Sequence, residues 1–114
     1  MEKHKVNDVK GYEKVKDIYY FDVSGNVYGK YNKKLKPILN QKGYERIYFV
    51  TKCGGRQISS IHRLIAIALI PNIKNYEKIN HINEMKRDNR IENLEWITHL
   101  QNVRKYYENK KERG

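Results

Sequence analysis

The stretch from Tyr44 to Pro71 constrains the fold most, because its apolar pattern changes period once within it. Tyr44-Glu45-Arg46-Ile47-Tyr48-Phe49-Val50 is rich in aromatic and β-branched residues and reads as a strand. Gly54-Gly55 supplies a turn and Arg56-Gln57-Ile58-Ser59 reads as the returning strand, so the segment predicts a hairpin. At Ser60 the pattern becomes helical. Leu64, Ile65, Ala68 and Leu69 share one face, Ser60 is a candidate cap and Pro71 is a stop.

The flanking segments extend this plan. Residues 1–16 are lysine-rich with weak periodicity, and the first ten are expected to be flexible. Ile18-Tyr19-Tyr20-Phe21 reads as a strand, Ser24-Gly25-Asn26 as a turn, and Val27-Tyr28 as the resumed strand. Pro37 within Leu35–Leu39 predicts an edge strand or a loop. Beyond Pro71, Lys78–Ile82 and Leu94–Ile97 read as short strands, with Leu94 and Trp96 on one side. Residues 83–93 between them are polar and irregular, with one helical turn expected from Asp88. Thr98 and Gln101 form a capping box for a final helix reaching about Lys110. The expected class is α+β. A small antiparallel sheet module spans residues 1–59, and a strand-loop-strand-helix core spans residues 60–114.

Charge narrows the partners. The 114 residues carry a formal net charge of +11. Residues 1–57 hold 13 basic and 6 acidic side chains, net +7, and residues 58–114 hold 11 and 7, net +4. The charge is therefore not a detachable tail. A field of this sign suits a polyanion, nucleic acid above all, although many lysines on solvated faces give the same total. Tyr28-Gly29-Lys30-Tyr31 and Lys42-Gly43-Tyr44 interleave tyrosine with lysine, as a phosphate-and-base contact surface does. Tyrosine is also an ordinary strand former. The longest apolar run, Leu64–Ile70, is too short to span a membrane, and the N-terminus lacks a signal-peptide pattern. Cys53 is alone, which excludes an intrachain disulfide or a paired-cysteine zinc site and fits an intracellular setting.

One constellation can carry chemistry. Antiparallel pairing of the last two strands brings His81 near the start of the final helix, where Asn102 can point back toward Asn80. Two amide oxygens suit a hard divalent ion that keeps positions open for water or phosphate. A neutral imidazole beside them can take a proton from water. Asn93, in the loop, can bond backbone on both sides and fix the position of His81. The expected geometry has the imidazole open to a phosphate. Asparagine is also common in turns, so this set has a purely structural reading as well.

The stretch from His62 to Arg104 resembles the HNH homing endonucleases of phages and group I introns. The matching residues are His62-Arg63-Leu64-Ile65-Ala66, Ile70-Pro71-Asn72, Asn80-His81-Ile82-Asn83, Lys86, Asn89 through Thr98, and Asn102-Val103-Arg104. Tyr20 through Tyr28 more weakly resembles the sheet module that often precedes this core. The resemblance implies a ββα-metal fold and metal-dependent hydrolysis of phosphodiester bonds in double-stranded DNA, and one active site per chain argues for nicking unless two chains cooperate. The resemblance places the general base on His81, the loop-stabilising catalytic amide on Asn93, and ligands for Mg²⁺, or Mn²⁺, on Asn80 and Asn102. Arg87, Arg90, Arg104 and Lys105, with Lys30, Lys33 and Lys34 in the first module, are the candidate DNA contacts. A phage or mobile-element protein in a bacterial cytoplasm, monomeric or weakly dimeric, is the expected setting.

Departures from the family pattern are also legible. Some relatives carry Asp where this chain has Asn80, and Asn83-Glu84 replaces the usual Asp-Gly. Many relatives continue into a helix-turn-helix, so low or borrowed site specificity is expected here. His62 at the helix start is expected to be structural, His99 solvated, His4 inert and Trp96 part of the core. Two rivals remain: a basic DNA-binding module without catalysis, and a small structural RNA-binding protein.

Overall fold

The computed structural model describes residues 2–101 and Arg104. Three small antiparallel sheets surround one helix. The first joins β1 (His4–Lys5), β2 (Tyr20–Phe21) and β3 (Val27–Tyr28). The second joins β4 (Ile38–Leu39), β5 (Glu45–Val50) and β6 (Arg56–Ser60), and runs straight into α1 (Ile61–Leu69). The third is the hairpin of β7 (Lys78–His81) and β8 (Leu94–Ile97). Backbone beyond Thr98 is helical at His99–Gln101 and at Arg104.

The hairpin predicted around Gly54 forms with Tyr48 opposite Ile58 and Ile47 opposite Ser59. Its alternation sorts the side chains: Ile47 and Phe49 turn into the core, while Val50 and Ile58 stay exposed. β4 is the edge strand that Pro37 allowed. Helix α1 buries Ile61, Leu64, Ile65 and Ala66 against the sheets, with Ala68 and Leu69 only partly covered. Ser60 occupies the N-cap position but makes no capping bond with its side chain, contrary to the expectation. The Ser59 hydroxyl bonds Tyr12 Oη at 2.6 Å instead, tying the N-terminal segment to the root of the helix.

The expected flexible N-terminus is not found. His4 and Lys5 pair with Phe21 and Tyr20, and Val6 and Val15 are fully buried. The reason is a period of three. Val9, Tyr12 and Val15 each donate a backbone N–H to the carbonyl three residues earlier. These successive turns place Val6, Val9, Tyr12 and Val15 in the core and leave Lys10, Lys14 and Lys16 outside. The resulting apolar cluster includes Val6, Phe21, Phe49, Leu64 and Leu94, so it draws on sequence from both sides of residue 60.

Leu64 is 1% exposed at the centre of this cluster. Leu64→Ala is expected to cost about 2–5 kcal/mol, the transfer and cavity terms combined. Chemical denaturation should show a lower midpoint with an unchanged slope. Among the described residues no helix is long and apolar enough to cross a membrane.

Candidate active site

The β7–β8 hairpin builds the site. Its register sets Asn80 opposite Glu95 and His81 opposite Leu94. The chain between the strands carries local bonds of its own, such as Asp88 N–H to the Met85 carbonyl, and Asn93 adds longer ties across it. Its Oδ1 accepts from the Asn83 backbone N–H at 2.9 Å, and its Nδ2 donates to the Asp88 carbonyl at 2.8 Å. Its own carbonyl accepts from Ile82 N–H at 2.8 Å. One amide therefore bonds backbone at two points of the loop. The turn expected from Asp88 is replaced by a single 3-10 turn at Ile91–Asn93. Asp88 accepts instead from Arg90 Nε and Nη2, both at 2.8 Å, and from Asn83 Nδ2 at 2.7 Å. Glu84 adopts a φ of 66°, a left-handed conformation uncommon for a residue other than glycine.

His81 is 5% exposed, so the imidazole is not open in the way expected from sequence. Its ring lies 4.9 Å from that of His62 and 5.7 Å from that of Tyr44, centroid to centroid, in a three-ring cluster. Asn89 faces the ring edge. Its Nδ2 donates to Glu45 Oε1 at 3.0 Å, and its Oδ1 lies 2.9 Å from His81 Nε2. A carboxylate only accepts, so the nitrogen end of the amide faces Glu45 and the oxygen end faces the ring. An amide oxygen also only accepts, so Nε2 carries the proton of the neutral imidazole and Nδ1 keeps the free lone pair. A base acting on one water needs only that one atom accessible.

His62 is held neutral. Burial lowers its pKa to about 3, with smaller contributions from His81 and Arg63. Its Nδ1 is buried with no hydrogen-bond partner among the described residues. It acts by packing on His81 and Tyr44.

The same acceptor logic applies to Asn80. Its Nδ2 donates to Glu95 Oε1 at 2.9 Å, which fixes the amide and turns Oδ1 away from that bond. A half-buried amide oxygen held in one orientation fits a hard divalent cation. Asn102 and Lys105 lie outside the described residues. Among the described residues no group of three His, Cys, Asp or Glu side chains could hold a metal.

The candidate DNA contacts divide. Arg87 is exposed and pairs with Glu45 Oε2 at 3.4 Å. Arg90 pairs with both Asp88 and Glu92, so much of its charge is already matched. Arg104 is exposed on the final helix. Lys30, Lys33 and Lys34 are exposed on the stretch after β3, where Lys30 lies over the Tyr31 ring. His99 is exposed as expected, and Thr98 and Gln101 form their reciprocal cap at 2.9 and 3.1 Å. Trp96 is half-buried, and its indole N–H donates to the Ile70 carbonyl at 3.0 Å, pinning β8 to the end of α1. His4 packs against Phe21.

Sequence reasoning missed Tyr44, Glu45, Asn89 and Glu95. The available signal for Glu45 was one acid opening an otherwise basic and apolar strand. For Asn89 it was a second asparagine in the loop beside the better-marked Asn93.

A helix, a two-stranded hairpin bearing Asn80-His81, and a loop closed by Asn93 define the HNH nuclease class. Residues 59–104 match the family model described as HNH endonuclease. It is 43% identical over 86 residues to an uncharacterised HNH endonuclease of Acanthamoeba polyphaga mimivirus, covering 75% of this chain and 26% of that protein. It is 34% identical over 108 residues to the DNA endonuclease I-HmuI of Bacillus phage SP01, covering 94% of this chain and 58% of that one. The solved structure of DNA binding and cleavage by the HNH homing endonuclease I-HmuI matches with a TM-score of 0.77 and 27% identity. That match covers 96% of this chain and 59% of the other. The α+β class is thus shared with I-HmuI. The chain spans about a quarter of the mimivirus protein and under two thirds of I-HmuI. The mimivirus relative extends the range of hosts beyond the bacteria expected from sequence.

Proposed function

We propose that this chain is a metal-dependent DNA endonuclease of homing type that nicks double-stranded DNA, with His81 as the general base. The observation that carries the reading is the clamped ring of His81, whose Nε2–H is spent on Asn89 and whose Nδ1 is left as a proton acceptor. Nδ1 takes a proton from a water as that water attacks the phosphorus, and the 3′ oxygen leaves. Asn93 holds the loop, and with it the position of the ring, through its bonds to residues 83 and 88. Asn80, oriented by Glu95, and Asn102 are the proposed ligands of Mg²⁺ or Mn²⁺. A divalent ion bound there supplies Lewis-acid stabilisation of the charge developing on phosphate and leaving oxygen. Because both amides are neutral, DNA phosphate itself must supply the negative charge that completes the ion's site.

The proposed division of labour follows the chain. Residues 1–59 contact DNA through Lys30, Lys33 and Lys34. Residues 60–114 carry the chemistry, with Arg87, Arg90, Arg104 and Lys105 on the backbone phosphates. One His81 centre per chain suits a monomer or weak dimer that cuts one strand at a time.

The test is conversion of supercoiled plasmid with Mg²⁺ or Mn²⁺. Open circles are expected before linear DNA, and chelation should stop the reaction. Plasmid that is bound but never cut would select the inactive binding module. Preference for RNA over duplex DNA would select the structural RNA-binding protein.

A further inference from the structure

Asn89 is 3% exposed, bonded on two sides and packed on a third. Its Oδ1 meets His81 and its Nδ2 meets Glu45, the first residue of β5. Its backbone lies against Gly25. A Cβ built at Gly25 would approach Asn89 Cβ to 2.9 Å and the Asn89 carbonyl carbon to 3.1 Å, and Gly25 has a φ of +90°. Two residues on, Ile91 N–H donates to the Val23 carbonyl at 2.8 Å. The turn around Gly25 is itself locked by the buried Asp22, which accepts from the Ser24 and Asn26 backbone N–H groups and from Tyr28 Oη. The other two residues against Asn89, Glu45 and Gly25, thus come from residues 1–59.

We propose that Asn89 is a positioning residue whose amide, polarised by Glu45 and seated on Gly25, fixes His81 in its Nε2–H tautomer. The N-terminal module then does more than contact DNA. It orients the base of the nuclease core, and this rests on the reading of His81 as that base. The chain of bonds has a single polarity: the carboxylate accepts from the amide nitrogen, and the amide oxygen accepts from the ring. Rotating the amide would set its oxygen against the Glu45 carboxylate and its nitrogen against Nε2. The ring would then have to release its Nε2 proton and protonate Nδ1, which removes the base.

The polarity gives a compensation test. Asn89→Asp keeps an acceptor for Nε2–H but sets a second carboxylate against Glu45. Glu45→Gln in the same chain removes that repulsion and supplies a donor toward residue 89. On the full chain, Asn89→Asp is expected to slow single-turnover nicking by about tenfold to a hundredfold, with plasmid affinity unchanged. The double variant should recover most of that loss. A double variant no faster than Asn89→Asp, or an Asn89→Asp variant as fast as wild type, would overturn the proposal.

Imidazole ¹⁵N chemical shifts of His81 report the tautomer directly and need no activity. The wild type is expected to be Nε2–H, and Asn89→Ala is expected to shift it toward a mixture. A wild-type Nδ1–H form would sink the idea even if every variant folds and cuts. A wild type that fails to nick but shows Nε2–H would overturn the nuclease reading alone and leave the orienting role standing.

Discussion

His81→Ala should lose nicking activity by about 10²–10⁴-fold, the usual contribution of a positioned general base, while plasmid binding stays close to wild type. Binding is expected to survive because His81 is 5% exposed and so offers DNA almost no surface. The exposed arginines and lysines carry the attraction to phosphate, which is long-range and sequence-independent. The substitution also opens a void beside Tyr44 and His62, so some loss of stability is expected. His81→Gln refills much of that space without restoring a base, and it should be as inactive as the alanine variant. Equal cutting by His81→Ala and wild type would mean that the hydrolytic proton goes elsewhere. Equal loss of binding and cutting would mean that His81 matters only for the shape of the loop.

Parts of this arrangement were legible in the chain because local rules acted alone. The strand from Glu45, the Gly54-Gly55 turn, the stop at Pro71 and the Thr98–Gln101 cap each depend on residues a few positions apart. The pairing of Asn80-His81 with the strand ending in Ile97 followed from two short apolar runs and a polar gap. What escaped were interactions with no local signature. The turns through Val6, Val9, Tyr12 and Val15 have a period between those of helix and strand, so the segment looked like a lysine-rich leader. Glu45 and Asn89 are 44 residues apart, and neither type at its position signals the other. The burial of His81 likewise depends on Tyr44 and His62, brought together only when β5 and α1 pack. Residues within one hairpin were readable, whereas the support that the rest of the chain gives them was not.

Acid is expected to destabilise the fold between pH 6.5 and about 4, with His62 as the main cause. Its pKa falls from 6.5 to about 3 because burial beside His81 and Arg63 disfavours the charged ring. In that window the unfolded chain binds a proton at His62 that the folded chain does not. Stability therefore falls as pH falls, by up to roughly 1.4 kcal/mol per pH unit from this one group. The loss should reach roughly 3 kcal/mol by pH 4, a large share of the stability of a small domain. Asp22 does not account for this range. Burial raises the Asp22 pKa, but hydrogen bonds from Tyr28, Asn26 and Ser24 outweigh it and leave the value below 3.8. Such a group stabilises the fold above the unfolded pKa and loses that contribution only as pH drops through its folded pKa, below the histidine window. His62→Phe separates the two effects. It keeps an aromatic ring against Tyr44 and His81, removes the titrating group, and removes a buried Nδ1 that has no partner. Urea midpoints measured from pH 7 to 4 should fall steeply for wild type and much less for His62→Phe, with similar values at pH 7. Parallel curves for the two proteins would show that the His62 ring is charged as readily in the fold as in water, and the packing described for the three-ring cluster would be wrong.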